Sequence, residues 1–585
     1  MRKKISGRLL GIVAVVSLLS LCAWYFTDAG RSLGNLFGIS SSEVTLSGST
    51  PDTVGNSTLI GRSDRERKIE FVIGLSLNDE ADLDALLERQ GNPQSVDYLR
   101  FLTPADFERR YAPSQANVDE VVKFLTANGI KVKAVAPNRL LIQAEGTVAQ
   151  VERAFKVEIN DYRIASGNTA TGGIASFFSN DRDPSIPQHL KDIVVSVLGL
   201  NDIDRLESRA KREPRTVDSQ SMAKPRASQS ALTPQQVASA YNLPNANNPD
   251  NGRKLSGKGV DMAIVTAEGY KKTDVETYWR HHGVNRTGRV IDIAIGGTTT
   301  AVNDETTMDL ELMGAQIPAA DIYMYIAADA RFVNFALAFN QMVTDNKADV
   351  MSVSWGLCER GTGWLMIKTE NAIFKQAAAQ GIALFASSGD DGVYDCKEKK
   401  LRWEVDFPSS SPYVTAVGGT SLYLSGGKRS SESAWSGSGG GISNHFARPS
   451  WQHGSGVPKG DKRVSADIAM AADPYTGYSV YFEGQWAKIG GTSASSPSWA
   501  ALWGLSVEAL GKRLGPANAH IYRLGRSADR DKAFFDILTG ENGAGRGPGY
   551  KAAPGFDHPT GWGSPDGVEL IRLLEAQHPK AARPR

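Results

Sequence analysis

The segment Gly490-Gly491-Thr492-Ser493-Ala494-Ser495-Ser496-Pro497 runs directly into an apolar, helix-forming stretch over 499–505. Glycines ahead of a helix expose a serine hydroxyl at its N-terminus and aim backbone N–H groups at any oxyanion formed beside it. Ser493 is therefore the candidate nucleophile, although a Gly-Thr-Ser triplet alone is as readily a plain loop. A serine hydroxyl needs a proton acceptor before it can attack. Within 303–313, Glu305 and Asp309 are four residues apart. On a helix both carboxyls share one face, while Met308, Leu312 and Met313 turn toward the core. Two stacked carboxyls can share a proton, which raises one pKa and orients the other group. Without a partner the same spacing is an ordinary solvated acidic face. A third carboxyl, Asp390, follows an apolar run in Ser388-Gly389-Asp390. It is either a turn residue or, if it faces Ser493, a neutral acid that donates to an oxyanion, a role that demands low pH.

A sheet must bring these segments together. Beyond Ser230, apolar runs at 260–266, 290–295, 322–326, 350–355, 382–386 and 414–417 alternate with helical segments. That pattern predicts an α/β unit over 230–585, a mostly parallel sheet covered by helices on both faces. Function gathers at the C-terminal ends of such strands, where Ser354-Trp355-Gly356 and Ser388-Gly389-Asp390 fall. Cys358 and Cys396 follow on the same rim, as a disulfide if the strands are neighbours or as two buried thiols. Ahead of this unit, 67–203 reads as a separate α+β domain. It has a strand at 69–73, a helix at 80–90, a helix opened by Thr103 and Pro104, and a helix at 117–126 closed by Asn128-Gly129. A hairpin of 131–135 and 140–144 follows, then a helix over 148–155 capped by Thr147. The stretch 204–229, dense in Arg and Lys and holding Pro214 and Pro225, predicts an exposed, protease-sensitive linker. The Ser-, Thr- and Gly-rich stretch within 30–66 predicts a flexible spacer.

With Ala494 and Pro497, the serine segment is similar to the nucleophile motif of the subtilisins. Yet none of the eight histidines sits in a His-Gly-Thr-His motif; His282-Gly283-Val284 does not continue as one. Glu305-x-x-x-Asp309, Ser388-Gly389-Asp390 and Gly491-Thr492-Ser493, in that order, instead resemble the motifs of the sedolisin family, the serine-carboxyl peptidases. The resemblance runs from about Lys68 to Leu574. It implies a subtilisin-like fold, with Ser493 as nucleophile, Glu305 as general base and acid, Asp309 as its orienting partner and Asp390 as oxyanion stabiliser. Leu102-Thr103-Pro104-Ala105-Asp106-Phe107 and Val135-Ala136-Pro137-Asn138-Arg139 resemble the activation domain of pro-kumamolisin type. That implies a ferredoxin-like propeptide that assists folding and blocks the cleft until the linker is cut, leaving an N-terminus shortly before Leu232. Asp536 and Asp557, with the carbonyls of Ile537, Ala553 and Gly555, are similar to the family's site for one Ca2+ ion per catalytic domain. The cysteines resemble a bacterial branch that bridges the two rim loops, Cys358 to Cys396. Thr266 stands where some members carry an additional glutamate, and Trp355 lines the cleft, extends the carboxyl network or packs in the core.

At 585 residues the chain needs two or three domains, and 65 basic against 64 acidic residues leave a net charge of +1. Nothing in that balance points to nucleic acid. Arg2, Lys3 and Lys4 precede an uncharged apolar run over 9–26, so 1–29 is read as a signal peptide or a membrane anchor. Together these features predict a secreted, acid-active serine endopeptidase made as a self-processing zymogen. Its partners are peptide or protein substrates and its own propeptide, with the membrane a partner only if the N-terminal segment is retained. The chain is expected to be a monomer, secreted or extracellular, with periplasmic and membrane-anchored locations as alternatives. The rival reading is an inactive relative of the same fold that binds peptides or acts at a surface.

Overall fold

The structure, a computed structural model, describes residues 42–164, 175–213, 229–248, 252–396 and 402–578. Both the 1–29 segment and most of the 204–229 linker lie outside them.

An eight-stranded sheet forms the larger unit. Its order is Val290–Ile295, Asp321–Ala327, Asp261–Ala267, Val350–Val353, Ala383–Ser387, Val414–Ser425 and Lys428–Ala434, with Ile468–Ala471 also paired to Val414–Ser425. Every pairing is parallel except that of Lys428–Ala434. Alternation along the strands builds two cores. Met262, Ile264 and Met324 face the helices Asp304–Gln316 and Thr492–Leu510, whereas Ala263, Val265 and Tyr325 face Phe332–Asp345 and Trp364–Ala379. All six expected strands are present. The run 350–355 divides, however: Val350–Val353 stays in the sheet, and Trp355–Cys358 leaves it to pair with Asp406–Phe407.

The smaller unit is a four-stranded antiparallel sheet in the order Lys131–Val135, Leu141–Thr147, Lys68–Leu75, Val194–Leu198. Helices Gln115–Ala127 and Val148–Phe155 pack on one face through Val121, Leu125, Val151 and Phe155. This is the ferredoxin-like β-α-β-β-α-β arrangement. Thr103 and Thr147 each close a reciprocal capping box. The opposite face, with Val72, Leu141 and Leu198, packs into the core under Phe332–Asp345 and Trp364–Ala379, so the two units share an apolar interface.

Two expectations are corrected. The flexible spacer does not extend past residue 42: Glu43–Thr45 pairs with Ser185–Pro187, and Ser57–Arg62 with Ile159–Ile164. Asp183 supplies the order that apolar content lacks, its carboxylate accepting from the N–H groups of Gly48, Ser49 and Thr50 and from the Thr50 hydroxyl. Nor is the start of the basic linker exposed, since Arg209 is fully buried in the larger unit.

Candidate active site

Gly491 takes φ +100°, and a Cβ there would lie 1.9 Å from the Arg209 carbonyl oxygen and 2.6 Å from Asp390 Oδ2. Only glycine suits both that backbone and that approach. The next two residues open the helix Thr492–Leu510, which is buried on all sides. Ser493 Oγ donates to Glu305 Oε2 at 2.7 Å. Glu305 stands in the first turn of Asp304–Gln316, where the Asn303 side chain accepts from its N–H. Ser354 Oγ, at the end of a central strand, donates to Asp309 Oδ1 at 2.8 Å. Glu305 Oε1 and Asp309 Oδ2 are buried without a hydrogen-bond partner. Burial, then the adjoining Asp309, pushes the Glu305 carboxyl well above its ordinary value, against the pull of the Ser493 and Ser208 hydroxyls. Burial does the same to Asp309. A proton on either carboxyl relieves the repulsion that two buried anions side by side would create.

Across the cleft, Asp390 Oδ1 accepts from the Thr492 N–H and hydroxyl, each at 2.7 Å. Its Oδ2 has no partner, and burial pushes the carboxyl up to about 6. Ser493, Glu305, Asp309 and Asp390 thus gather at one end of the sheet. Trp355 is buried: its indole N–H donates to Thr266, which bonds Thr306, and the Thr306 hydroxyl donates to the Ala267 carbonyl, so the network reaches no further carboxyl.

The linker occupies this cleft, which the sequence did not signal. Glu207 and Ser208 pair antiparallel with Gly356 and Trp355, and the Arg209 N–H donates to the Ser354 carbonyl. On the far side Lys211 and Arg212 pair with Gly490 and Ile489. Ser208 Oγ donates to Glu305 Oε2 at 2.7 Å, the oxygen that Ser493 also uses. Arg209 reaches Asp406 through Nε at 2.9 Å and Nη2 at 2.7 Å, Asp395 at 3.3 Å and Glu207 at 3.3 Å. Despite burial, Asp395 and Asp406 hold the guanidinium firmly charged. Serines, aspartates and an arginine spread over 200 residues carry no common local pattern; pairing alone assembles them.

The Cys358–Cys396 disulfide is present. Around the expected calcium ligands, Asp536 Oδ2 accepts from the Gly555 N–H, and Asp557 from the N–H groups of Ala553 and Thr560. Asp536 Oδ1 is buried with no partner, and Ile537 is buried. Among the described residues no cluster of three or more His, Cys, Asp or Glu side chains could hold a metal. Two carboxylates close together in one loop, one with an orphaned buried oxygen, have the oxygen chemistry that a hard cation takes.

Residues 55–203 match the model of the pro-kumamolisin activation domain, and 244–563 that of the subtilase family. Sedolisin of Pseudomonas sp. (strain 101) is 34% identical across 86% of this chain and 87% of its own. Kumamolisin of Bacillus sp. (strain MN-32) is 32% identical across 88% and 93% respectively. The solved structure of Pseudomonas sedolisin complexed with two molecules of pseudo-iodotyrostatin superposes with TM-score 0.53 at 31% identity, covering 60% of this chain and 99% of that one. Where a subtilisin-like sheet carries a serine on a carboxyl pair behind an activation domain, and two curated relatives match nearly end to end, the conclusion is plain: the chain belongs to the sedolisin family of serine-type peptidases.

Proposed function

We propose that the protein is an acid-active serine-carboxyl endopeptidase, exported as a zymogen that processes itself, with Ser493 as nucleophile. The contact that carries this reading is Ser493 Oγ to Glu305 Oε2 at 2.7 Å, beside a peptide carbonyl resting on Gly491. Glu305 takes the Ser493 proton as Oγ attacks that carbonyl, and the adjoining Asp309 orients Glu305 and raises its affinity for the proton. The neutral Asp390 carboxyl donates from Oδ2 to the oxyanion, together with the Ser493 N–H. Glu305 then protonates the leaving amine, and water repeats the sequence on the acyl-enzyme. In the zymogen Ser208 competes for Glu305 Oε2, so the linker both fills the cleft and engages the base.

Export is supported by Arg2, Lys3 and Lys4 before the apolar run 9–26, and by a disulfide of the kind that persists outside reducing compartments. Asp536 and Asp557, with the carbonyls of Ile537, Ala553 and Gly555, would hold a calcium ion. Its charge would neutralise the two carboxylates and pin the loop, away from the reacting atoms. The test is incubation of purified precursor at pH 4 with casein present. Wild type is expected to shorten and to cleave casein, and Ser493→Ala to do neither; processing by the alanine variant would remove Ser493 from its role.

A further inference from the structure

The linker lies in the cleft as a bound peptide. The Arg209 N–H bonds Ser354, its carbonyl rests on Gly491 beside the unpartnered Asp390 Oδ2, and strands form on both sides of it. That register makes Arg209–Ala210 the peptide bond presented to Ser493, and puts the Arg209 side chain in the pocket for the residue before the cut. From this placement, and resting on the peptidase reading above, we propose that Asp406 and Asp395 form an arginine-selective pocket. The enzyme cuts after arginine, and its first cut in its own chain falls between Arg209 and Ala210.

The pocket is built for a guanidinium. Asp406 meets Nε and Nη2 with separate oxygens, the forked pairing that arginine can make and lysine cannot. Asp395 adds a third contact at Nη2, and Glu207 of the linker a fourth at Nη1. The side chains of Arg209, Asp406 and Asp395 are at most 1% exposed, so the guanidinium meets the two carboxyl groups away from bulk water. Gly356 forms the wall: a Cβ there would come within 2.7 Å of Asp406 Oδ2, closing the approach. The disulfide frames the site from behind, because Cys358 pairs with Asp406 across two strands and Cys396 adjoins Asp395. A neutral side chain in this pocket leaves buried carboxyls without their partner, which is the condition for strong discrimination. The chemistry balances as hydrolysis. Ser493 Oγ bonds to the Arg209 carbonyl carbon, the bond to the Ala210 nitrogen breaks as Glu305 protonates it, and water frees the arginine carboxyl.

Two measurements decide it. The acid-activated full chain is given peptides Glu-Ser-Xaa-Ala-Lys with arginine, lysine, citrulline or leucine at Xaa, and the first processing product is sequenced at early times. Arginine is expected to exceed citrulline in kcat/KM by at least about 100-fold, with lysine between them, and the first new N-terminus to be Ala210. In Asp406→Asn the arginine-to-citrulline ratio falls at least about tenfold; if that variant fails to fold, the wild-type ratio decides alone. A ratio within about threefold overturns the pocket, and a first N-terminus elsewhere overturns the self-cut. Absence of both processing and hydrolysis of every peptide is a different result, which refutes the peptidase reading of Ser493 and Glu305 themselves.

Discussion

At the residue scale, the decisive group is Asp390. Its Oδ2 can donate to an oxyanion only while protonated, and burial holds the carboxyl at about 6 in the linker-filled state. Below that value it stabilises the developing charge; above it, the anion repels that charge. Self-processing of the purified zymogen should therefore slow about tenfold per pH unit above 6, read as loss of full-length chain. Asp390→Asn, an amide that donates at any pH, should process about 10²–10³-fold more slowly at pH 4 yet lose this limb. An unchanged limb would assign it to another group. The sequence exposed these residues because each stands beside its own local signature: glycines before a helix, an i, i+4 pair, a strand end. Ser208, Arg209, Asp395 and Asp406 have no such signature. A basic stretch with prolines reads as solvent-exposed, and only buried carboxyls from distant loops make Arg209 a core residue.

At the scale of elements, legibility follows how local the stabilising contacts are. The Thr103 and Thr147 caps close within four residues, as capping boxes, and are legible from the sequence as N-caps, like the hairpin after Asn128-Gly129. Glu43–Thr45 was not, because its partner strand lies 140 residues further on. The Cys358–Cys396 bridge joins Trp355–Cys358, which pairs with the linker, to the loop holding Asp395. Its ends are 38 residues apart, so in the chain-entropy account replacing both cysteines by serine should cost roughly 2–4 kcal/mol, measured by urea unfolding. The loop carrying Asp536 and Asp557 offers a second test. Chelation should lower the melting temperature of the wild type but leave Asp536→Asn unmoved. Equal responses would mean that calcium acts elsewhere or that this loop takes none.

Across the whole molecule, an apolar sheet face and polar contacts, among them a buried cation, hold the smaller unit to the larger. Val72, Leu141 and Leu198 face the helices Phe332–Asp345 and Trp364–Ala379. At the edge of that contact Lys375, with its side chain 6% exposed, bonds Glu80 at 2.7 Å and Asp84 at 2.5 Å. A buried ammonium depends on its partners far more than two half-exposed carboxylates depend on it, since these can hydrate when it leaves. Lys375→Met keeps the apolar stem and removes the charge, so it should weaken docking by about 1 kcal/mol without opening a cavity. The same docking positions Glu207, Ser208 and Arg209 over Ser493, through a linker that leaves the smaller unit at Val194–Leu198. Two outcomes then separate the roles of the interface. If docking chiefly restrains the linker, Lys375→Met releases it and the rate of self-processing at pH 4 rises by up to about fivefold. If docking chiefly delivers Arg209–Ala210 to Ser493, the rate falls instead. Latency argues for the first: Ser208 on Glu305 Oε2 is a contact the reaction must break before the base is free, and loosening the domain helps to break it.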